Sequence, residues 1–302
     1  MSSPGKRVNG RTFTPAGDAE YKIRGAVRSY IRARMPSSWR RPGELPPLME
    51  RTVTMSLTDA LNELVTANRI LAREGVVDAF GHVSIRHPEA AQRYWVSRAR
   101  APDCIELDDL MEFALDGTPI DPAGRNPYAE RHIHGAVYED RPEVHAVVHN
   151  HSPSLIPYSI TGVPLRPVMH MCASMGTHVP VWDSRSAFGD TNLLVTSMSM
   201  GRDLARALGT RPVALMRGHG CVVAGPSLRN VVFNSIYLEL NAHLQMQASS
   251  LGEVTFLSDG EIAAILQTRS SFTYERAWEY WCRRAGRAYD HRPMGGPLSQ
   301  AT

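Results

Sequence analysis

The segment AVVHNHSPSL, residues 146–155, ends an apolar run with two histidines that are separated by one residue. The valines predict a β-strand, and side chains at positions i and i+2 of a strand lie on the same face of the sheet. His149 and His151 can therefore direct both imidazoles toward one point. A lone histidine is usually a core or surface residue, but this pair predicts two ligands of a single metal ion.

Two residues elsewhere in the chain complete the predicted site. His219 lies in RGHG after a second apolar run, where the flanking glycines allow the backbone to pass close to an ion. Glu130, in YAERHIHG, is the predicted acidic partner, and we expect it about one turn into a helix that leads to the histidine strand. The alternatives are a water-exposed turn histidine at position 219 and an ordinary surface pair between Glu130 and His134.

The chain has 302 residues, of which 43% are apolar, so it can bury a substantial core and form one large or two small domains. No stretch approaches the roughly 20 apolar residues that span a bilayer, and the N-terminus lacks an apolar segment of the signal-peptide kind. We therefore expect a cytoplasmic location and no membrane partner. Four widely spaced cysteines are predicted to be buried, reduced thiols: Cys104, Cys172, Cys221 and Cys282.

Positive charge is concentrated at the start of the chain. Residues 1–54 contain 11 Lys or Arg and 4 Asp or Glu, whereas the remainder contains 22 and 26. Because Pro, Gly and Ser are scattered through this segment, we predict an extension that is disordered or lies over another subunit. An arm that binds nucleic acid is the alternative, but the segment lacks interleaved aromatic residues and known motifs, so no nucleic-acid partner is expected.

Hydrophobic periodicity predicts one α/β domain over residues 55–302, in which helices cover a sheet. FGHVSIRHP and RYWVS are predicted to be strands or loops at strand edges, and EVHAVVH is predicted to be a strand. RPVALMRGHGCVVAG is predicted to form a hairpin that turns at Gly218 to Gly220. Helices are predicted from Ser56 to Gly75, over PYAERHIHGAVYED, from the start of SPSLIPYSITG, and over residues 227–250. The predicted buried side of the last helix is Leu228, Val231, Val232, Ile236, Leu240 and Leu244.

Four segments, in this order, resemble the class II aldolase/adducin family: EGVVDAFGHVSIR, AERHIHGAVYEDRPEVHAVVHNHSP, ALMRGHGCVVAG and the helix that contains YLELNAHLQ. The resemblance covers about residues 57–250. It implies an αβα sandwich with a largely antiparallel central sheet, and a homotetramer with active sites at subunit interfaces. It also implies that His149, His151 and His219 bind a divalent metal ion, and that Glu130 acts as an acid/base and can ligate the metal in the free enzyme.

The chain departs from the sugar-phosphate aldolases of that family where those proteins hold phosphate. A Tyr-Ala pair replaces two serines before the glutamate, and SRARAP, residues 97–102, replaces a Thr-Pro-Ser-Gly stretch. Because guanidinium groups bind carboxylates through paired hydrogen bonds, Ser97, Arg98 and Arg100 are predicted to bind an acid group of the substrate. The alternative for either arginine is an ion pair at the surface or between subunits.

Two further histidines lie at distinctive positions. His82, in FGHVS, stands where these aldolases usually have asparagine, and it could hydrogen-bond a substrate oxygen or move a proton near neutral pH. A histidine that is simply fixed by packing is the alternative. His170, in VMHM, could line an aromatic pocket, although we expect it to fill core space first.

These departures resemble a branch of the family that contains metal-dependent decarboxylases of aromatic acids, among them hydroxypyridine dicarboxylate and dihydroxyphthalate decarboxylases. They are also compatible with bifunctional iron oxygenases of aminocoumarin pathways. Those enzymes share the fold and shorten a prenylated 4-hydroxyphenylpyruvate to the benzoate by two oxidative decarboxylations. The expected substrate is therefore a small-molecule carboxylic acid, and three imidazoles accept Fe2+, Mn2+ or Zn2+ alike.

The leading hypothesis is decarboxylation of an aromatic hydroxy or 2-oxo acid. The metal would stabilise the enolate-like charge that remains when CO2 departs, and Glu130 or His82 would deliver a proton to the carbon. An oxidative reaction with Fe(II) and O2 is one alternative. A retro-aldol lyase that acts on an unphosphorylated hydroxy acid and a non-enzymatic, adducin-like structural protein are the others.

Overall fold

The computed structural model describes residues 56–289. The basic segment of residues 1–54 and the domain boundary at residue 55 lie outside this range, so both stay predictions. Ser56 caps the first helix as expected, because its side-chain oxygen accepts a hydrogen bond from the backbone N–H of Asp59 at 3.1 Å.

Within the described residues, seven strands form one sheet in the order β3-β2-β1-β4-β7-β6-β5. Neighbouring strands are antiparallel except for the parallel pair of β5 and β6. The predicted strands and the predicted hairpin are confirmed, since the chain turns between β6 and β7. The bounds are β1 His82–Arg86, β2 Arg93–Ser97, β3 Leu110–Ala114, β4 Ala146–Asn150, β5 Val181–Trp182, β6 Val213–Met216 and β7 Gly220–Gly225.

Helices account for most of the remaining regular structure of the same range. None of these described helices is long and apolar enough to cross a membrane. Short 3-10 helices occur at Pro102–Cys104, Leu107–Asp109 and His170–Met175. The α-helices are α1 Leu57–Arg73, α2 Arg131–Asp140, α3 Ile156–Ile160, α4 Arg185–Phe188, α5 Met198–Leu208, α6 Leu228–Leu251, α7 Asp259–Thr268 and α8 Ser271–Arg284.

The sheet lies between two layers of helices, and its strands supply side chains to both. On β4, Val148 packs in a core with helices α1, α6 and α8, whereas the adjacent Val147 packs in a second core with α2 and α5. Successive residues of a strand point to opposite faces, so a strand buried on both faces reads as a continuous apolar run. The predicted αβα sandwich with a largely antiparallel sheet is therefore confirmed.

Helix α2 has two close backbone contacts, one with the segment after β3 and one with helix α5, and each contact requires a glycine. A Cβ atom on Gly135 would lie 2.0 Å from the carbonyl oxygen of Leu115, and one on Gly201 would lie 2.5 Å from the carbonyl oxygen of His132. No other residue fits at these two positions without moving the backbone. This packing fixes the start of α2, where Glu130 is located.

The predicted buried face of α6 is only partly correct. Leu228, Val231 and Val232 are buried, but Leu240 is 38% exposed. In its place, the side chains of Asn241 and Gln245 are buried and hydrogen-bond the backbone of residues 164–168. A hydrophobic pattern could not indicate this, because the partner is irregular backbone whose polar groups need amide side chains.

Three of the four cysteines are buried thiols, as predicted: Cys172, Cys221 and Cys282. The prediction was wrong for Cys104, which is exposed. It ends the short 3-10 helix Pro102–Cys104, in which Pro102 is the buried residue and Cys104 faces water.

Arg229 on α6 joins three helices and generates a test of the fold. Its guanidinium is 7% exposed and forms ion pairs with Glu63 on α1 and Glu275 on α8. Arg229→Met should lower the free energy of unfolding by about 3 kcal/mol, because two partly buried carboxylates lose their cation. Arg202→Met removes an ion pair whose guanidinium is 50% exposed and should cost less than about 1 kcal/mol. Urea unfolding measures both, and equal losses would contradict the expectation.

Candidate active site

Three imidazoles converge at one end of strands β4 and β7. His149 is on β4, His151 follows that strand, and His219 lies in the turn between β6 and β7. The Nε2 atom of His151 is 3.1 Å from Nε2 of His149 and 3.2 Å from Nε2 of His219. The structure thus brings together the three histidines that the sequence indicated.

The opposite nitrogen of each ring is held by an oxygen that can only accept a hydrogen bond. His149 Nδ1 lies 3.0 Å from the carbonyl oxygen of Cys221, and His219 Nδ1 lies 3.0 Å from that of Leu193. His151 Nδ1 lies 3.4 Å from a carboxylate oxygen of Asp78. Each Nδ1 of a neutral ring must therefore carry the hydrogen, which leaves a lone pair on each Nε2.

Lone pairs on these nitrogens, at the 3.1 and 3.2 Å separations of His151 from its two neighbours, repel unless a cation lies between them. Histidine ligands of metals commonly donate their second ring N–H to a carboxylate or a carbonyl, as all three rings do here. The donor set of this structure therefore fits a divalent metal ion.

Glu130 adds a carboxylate to the same cluster. Its Oε2 is 3.5 Å from Nε2 of both His149 and His219, and its Oε1 accepts a hydrogen bond from the backbone N–H of Val195 at 2.9 Å. We expected Glu130 about one turn into α2, but the helix begins at the next residue and Glu130 is its N-terminal cap residue. At 7% exposure it is not part of a surface pair with His134.

The four side chains could hold one ion. Ligand atoms from Glu130, His149, His151 and His219 all lie within 4.8 Å of one another. Burial, helped by the two neighbouring histidines, lowers the pKa of His151 and favours the neutral imidazole that binds metals. Burial opposes ionisation of Glu130, and the pKa of this carboxyl is lowered only where Nε2 of His149 or His219 carries a hydrogen toward it; a cation bound by the lone pairs would have the same effect.

Two positioning elements of the cluster escaped sequence analysis. Leu193 adopts a φ of 66°, which is uncommon for a leucine, and the same loop supplies the carbonyl that holds His219 and the Val195 N–H that holds Glu130. No sequence signal marks a leucine in this conformation. Asp78 could have been found, because its carboxylate binds the backbone N–H groups of Phe80 and Gly81 in the manner of a turn-forming aspartate.

A pocket of about 580 Å³ opens beside the cluster. Glu130, His151 and His219 form one part of its lining, and it continues over apolar and aromatic side chains. A mostly apolar pocket with a few converging polar groups is typical of small-molecule sites. The other lining side chains used below are Phe80, His82, Arg100 and Tyr128.

The two predicted anchor arginines share a partner within the chain. Arg98 Nε is 2.5 Å from one carboxylate oxygen of Asp109, and Arg100 Nη1 is 2.6 Å from the other. The Asp109 carboxylate is 6% exposed, and each guanidinium keeps nitrogens that this carboxylate does not use. Arg100 lines the pocket, whereas Arg98 and the buried Ser97 are not among its lining residues.

The other two predicted histidines have different surroundings. His82 is 1% exposed, lines the pocket, and lies with its ring centroid 4.4 Å from that of Tyr128. His170 is exposed at the start of a 3-10 helix, and it is not among the lining residues of the pocket. The expectation that His170 fills core space was wrong, because the flanking methionines pack inward while the histidine faces water.

The cluster predicts the outcome of removing one histidine. His219→Ala should weaken Mn2+ binding by at least about tenfold, because even the outer partners of metal ligands contribute that much. His170→Ala, which changes an exposed histidine outside the cluster, should bind Mn2+ like the wild type. Titration calorimetry on the folded proteins measures both. Unchanged affinity in His219→Ala would remove this residue from the site.

Comparison with known proteins agrees with this geometry. The profile of the class II aldolase and adducin N-terminal domain matches residues 62–246. Decarboxylase tropJ of Talaromyces stipitatus is 35% identical over 242 residues, which are 72% of this chain and 91% of that protein. The 3,4-dihydroxyphthalate decarboxylase of Arthrobacter keyseri is 28% identical and covers 76% of this chain and 95% of its own length.

Two more distant similarities complete the comparison. The 4-hydroxy-3-prenylphenylpyruvate oxygenase/4-hydroxy-3-prenylbenzoate synthase of Streptomyces roseochromogenus is 27% identical, over 57% of this chain and 61% of that protein. The solved L-fuculose 1-phosphate aldolase of Glaciozyma antarctica shares the fold, with a TM-score of 0.63 at 24% identity over 81% of this chain and 97% of its own. The chain is thus an enzyme, and it belongs to the class II aldolase/adducin family, in the branch that contains decarboxylases of aromatic acids.

Proposed function

We propose that this enzyme removes CO2 from an aromatic acid that carries an oxygen next to the departing carboxylate. The observation that carries the proposal is the group of three imidazole lone pairs, which fits a divalent ion at the edge of an apolar pocket. Relatives named as decarboxylases support this reaction, including the one named for 3,4-dihydroxyphthalate. His149, His151 and His219 would hold the ion.

A bound divalent ion would supply Lewis acidity that stabilises negative charge on substrate oxygens. Side chains of the protein would carry out the remaining chemistry. The Glu130 carboxylate faces the cluster and can accept the proton of a substrate hydroxyl as it binds. The protonated Glu130 then returns the proton to the ring carbon that bears the carboxylate, which turns the neighbouring oxygen into a ketone. The C–C bond breaks next, and its electron pair moves through the ring to that oxygen as CO2 leaves, which restores the aromatic ring.

Arg100 is the side chain that we propose for binding a second acid group of the substrate. It lines the pocket, and the Asp109 carboxylate holds its Nη1. The backbone oxygen of Arg100 also accepts a hydrogen bond from the hydroxyl of Tyr128. A guanidinium fixed in this way loses little conformational freedom when it binds an anion.

Oxidative decarboxylation with Fe(II) and O2 is the second candidate. The relative named as an oxygenase supports it, and the same three imidazoles suit Fe(II) as well as Mn2+ or Zn2+. The two candidates differ in whether O2 is consumed.

Gas exchange separates these reactions. With 3,4-dihydroxyphthalate under argon, the protein loaded with Mn2+, Fe2+ or Zn2+ should release one CO2 per product formed. The reaction should need no O2, because the bond-breaking electrons stay in the product. CO2 release that depends on Fe2+ and O2, measured with 4-hydroxy-3-prenylphenylpyruvate and an oxygen electrode, would favour the oxidative candidate instead.

Replacing one arginine tests the anchor. Arg100→Lys should raise KM for the diacid about 10- to 100-fold, because lysine keeps the charge but loses the paired hydrogen bonds worth roughly 1.5–3 kcal/mol. Metal affinity should not change. Arg98→Lys is the matched control, since it alters the same Asp109 pair outside the pocket and should affect KM much less. Equal effects in both variants would assign the loss to the ion pair, and an unaltered KM would end the anchor hypothesis.

A further inference from the structure

Behind the pocket, four buried polar side chains form a continuous chain of hydrogen bonds. His82 Nδ1 is 2.6 Å from His134 Nε2, His134 Nδ1 is 2.6 Å from Ser84 Oγ, and Ser84 Oγ is 2.8 Å from the hydroxyl of Tyr138. All four residues are at most 1% exposed. His82 and Ser84 lie on strand β1, and the other two lie on helix α2.

His134 limits this series of hydrogen bonds to two possible directions of donation. Both of its ring nitrogens are engaged, and burial lowers its pKa to about 3, so the ring is neutral near pH 7. A neutral imidazole has one N–H, which means that it donates to one neighbour and accepts from the other. The hydrogen bonds therefore run either from Tyr138 toward His82 or from His82 toward Tyr138.

The end of the chain at Tyr138 selects between these directions. A phenol must place its hydrogen on an acceptor, and among the described residues the partner within hydrogen-bond distance of the Tyr138 hydroxyl is Ser84 Oγ. Tyr138 thus donates to Ser84, Ser84 donates to His134, and His134 donates to Nδ1 of His82.

This direction determines which nitrogen of His82 carries hydrogen. Nδ1 accepts, so a neutral His82 has its hydrogen on Nε2, the nitrogen left for the pocket that this residue lines. A doubly protonated ring does not fit this series of hydrogen bonds, because it would carry a hydrogen on Nδ1, where His134 already donates, and His82 is only 1% exposed. A ring in this state can donate a hydrogen bond but is not a base at Nε2.

We propose that His134, Ser84 and Tyr138 are positioning residues that hold His82 as a hydrogen-bond donor to a substrate oxygen. The inference rests on the proposed decarboxylation and deepens it. As CO2 leaves, charge develops on the oxygen next to the reacting carbon, and a fixed neutral N–H stabilises that charge without losing its own proton. His82 therefore orients and stabilises the substrate, and the proton for carbon comes from Glu130.

The test measures the tautomer of His82 by NMR and, separately, the effect of each substitution on kcat and KM. In protein labelled with 15N-histidine, long-range 1H–15N correlation should show a protonated Nε2 and a bare Nδ1 for His82, assigned by the signals missing from His82→Gln. Ser84→Ala should weaken this preference and lower kcat about tenfold, with KM within about twofold and Mn2+ affinity unchanged. Tyr138→Phe, which removes the terminal donor alone, should act in the same direction.

Two substitutions on α2 provide the comparison. His134→Gln keeps an N–H that can face His82 and should retain more activity than His134→Leu. His132→Gln changes a half-buried histidine of the same helix that is not part of the hydrogen-bond chain, and it should behave as wild type. If His134→Leu does not fold, Ser84→Ala and Tyr138→Phe still decide the question, because each removes only a hydroxyl.

The outcomes are distinct. A wild-type His82 with hydrogen on Nδ1, or a tautomer that neither Ser84→Ala nor His134→Leu alters, overturns the proposal. Reduced kcat with an unaltered tautomer does the same, because it points to a merely structural role. If the tautomer responds as expected but the wild type releases no CO2 from any acid, the proposed decarboxylation fails while the positioning of His82 stands.

Discussion

Repulsion among three imidazole lone pairs is the constraint on which this site depends. Each ring is turned by a separate acceptor, so Nε2 of His151 lies 3.1 Å from Nε2 of His149 and 3.2 Å from Nε2 of His219. Two of these acceptors are the backbone carbonyls of Cys221 and Leu193, so substitution of those side chains does not remove them. The antiparallel register of β4 and β7 places one of them, at Cys221, next to the ring of His149.

At this end of the sheet, the residues proposed to bind metal and the residues proposed to bind substrate come from different segments. His149 lies on β4, His151 follows that strand, and His219 lies in the β6–β7 turn. In contrast, His82 lies on β1, and Arg100 lies in the segment after β2. Their supports are also separate, since Asp109 holds the arginine and His134 holds the imidazole of His82. On these assignments, a change of the proposed substrate residues would leave the proposed metal ligands in place, which fits a family whose relatives include both aldolases and decarboxylases.

Local sequence patterns predicted those parts of the site that lie within a single strand or turn. The i, i+2 spacing of His149 and His151 and the glycines around His219 depend on a strand and a turn, and both were readable. The missing parts depend on distant segments that meet only in the fold. Leu193 holds His219 through its carbonyl, and Asp109 joins the two arginines, yet neither has a periodicity or motif that points to its partner.

Charge accounts for the kind of acid that this pocket would select. Arg98, Arg100 and Asp109 together carry one positive charge next to the pocket, and a divalent ion with the Glu130 carboxylate would add one more. Because the Asp109 carboxylate is buried and its pKa is lowered by its bonds to the two arginines and to backbone despite burial, this balance persists at neutral pH. A monoacid would leave one of these charges without a partner in an otherwise largely apolar pocket, whereas a dianion would neutralise both. The proposed function would therefore favour an aromatic diacid, in which Arg100 would hold one carboxylate while the other leaves.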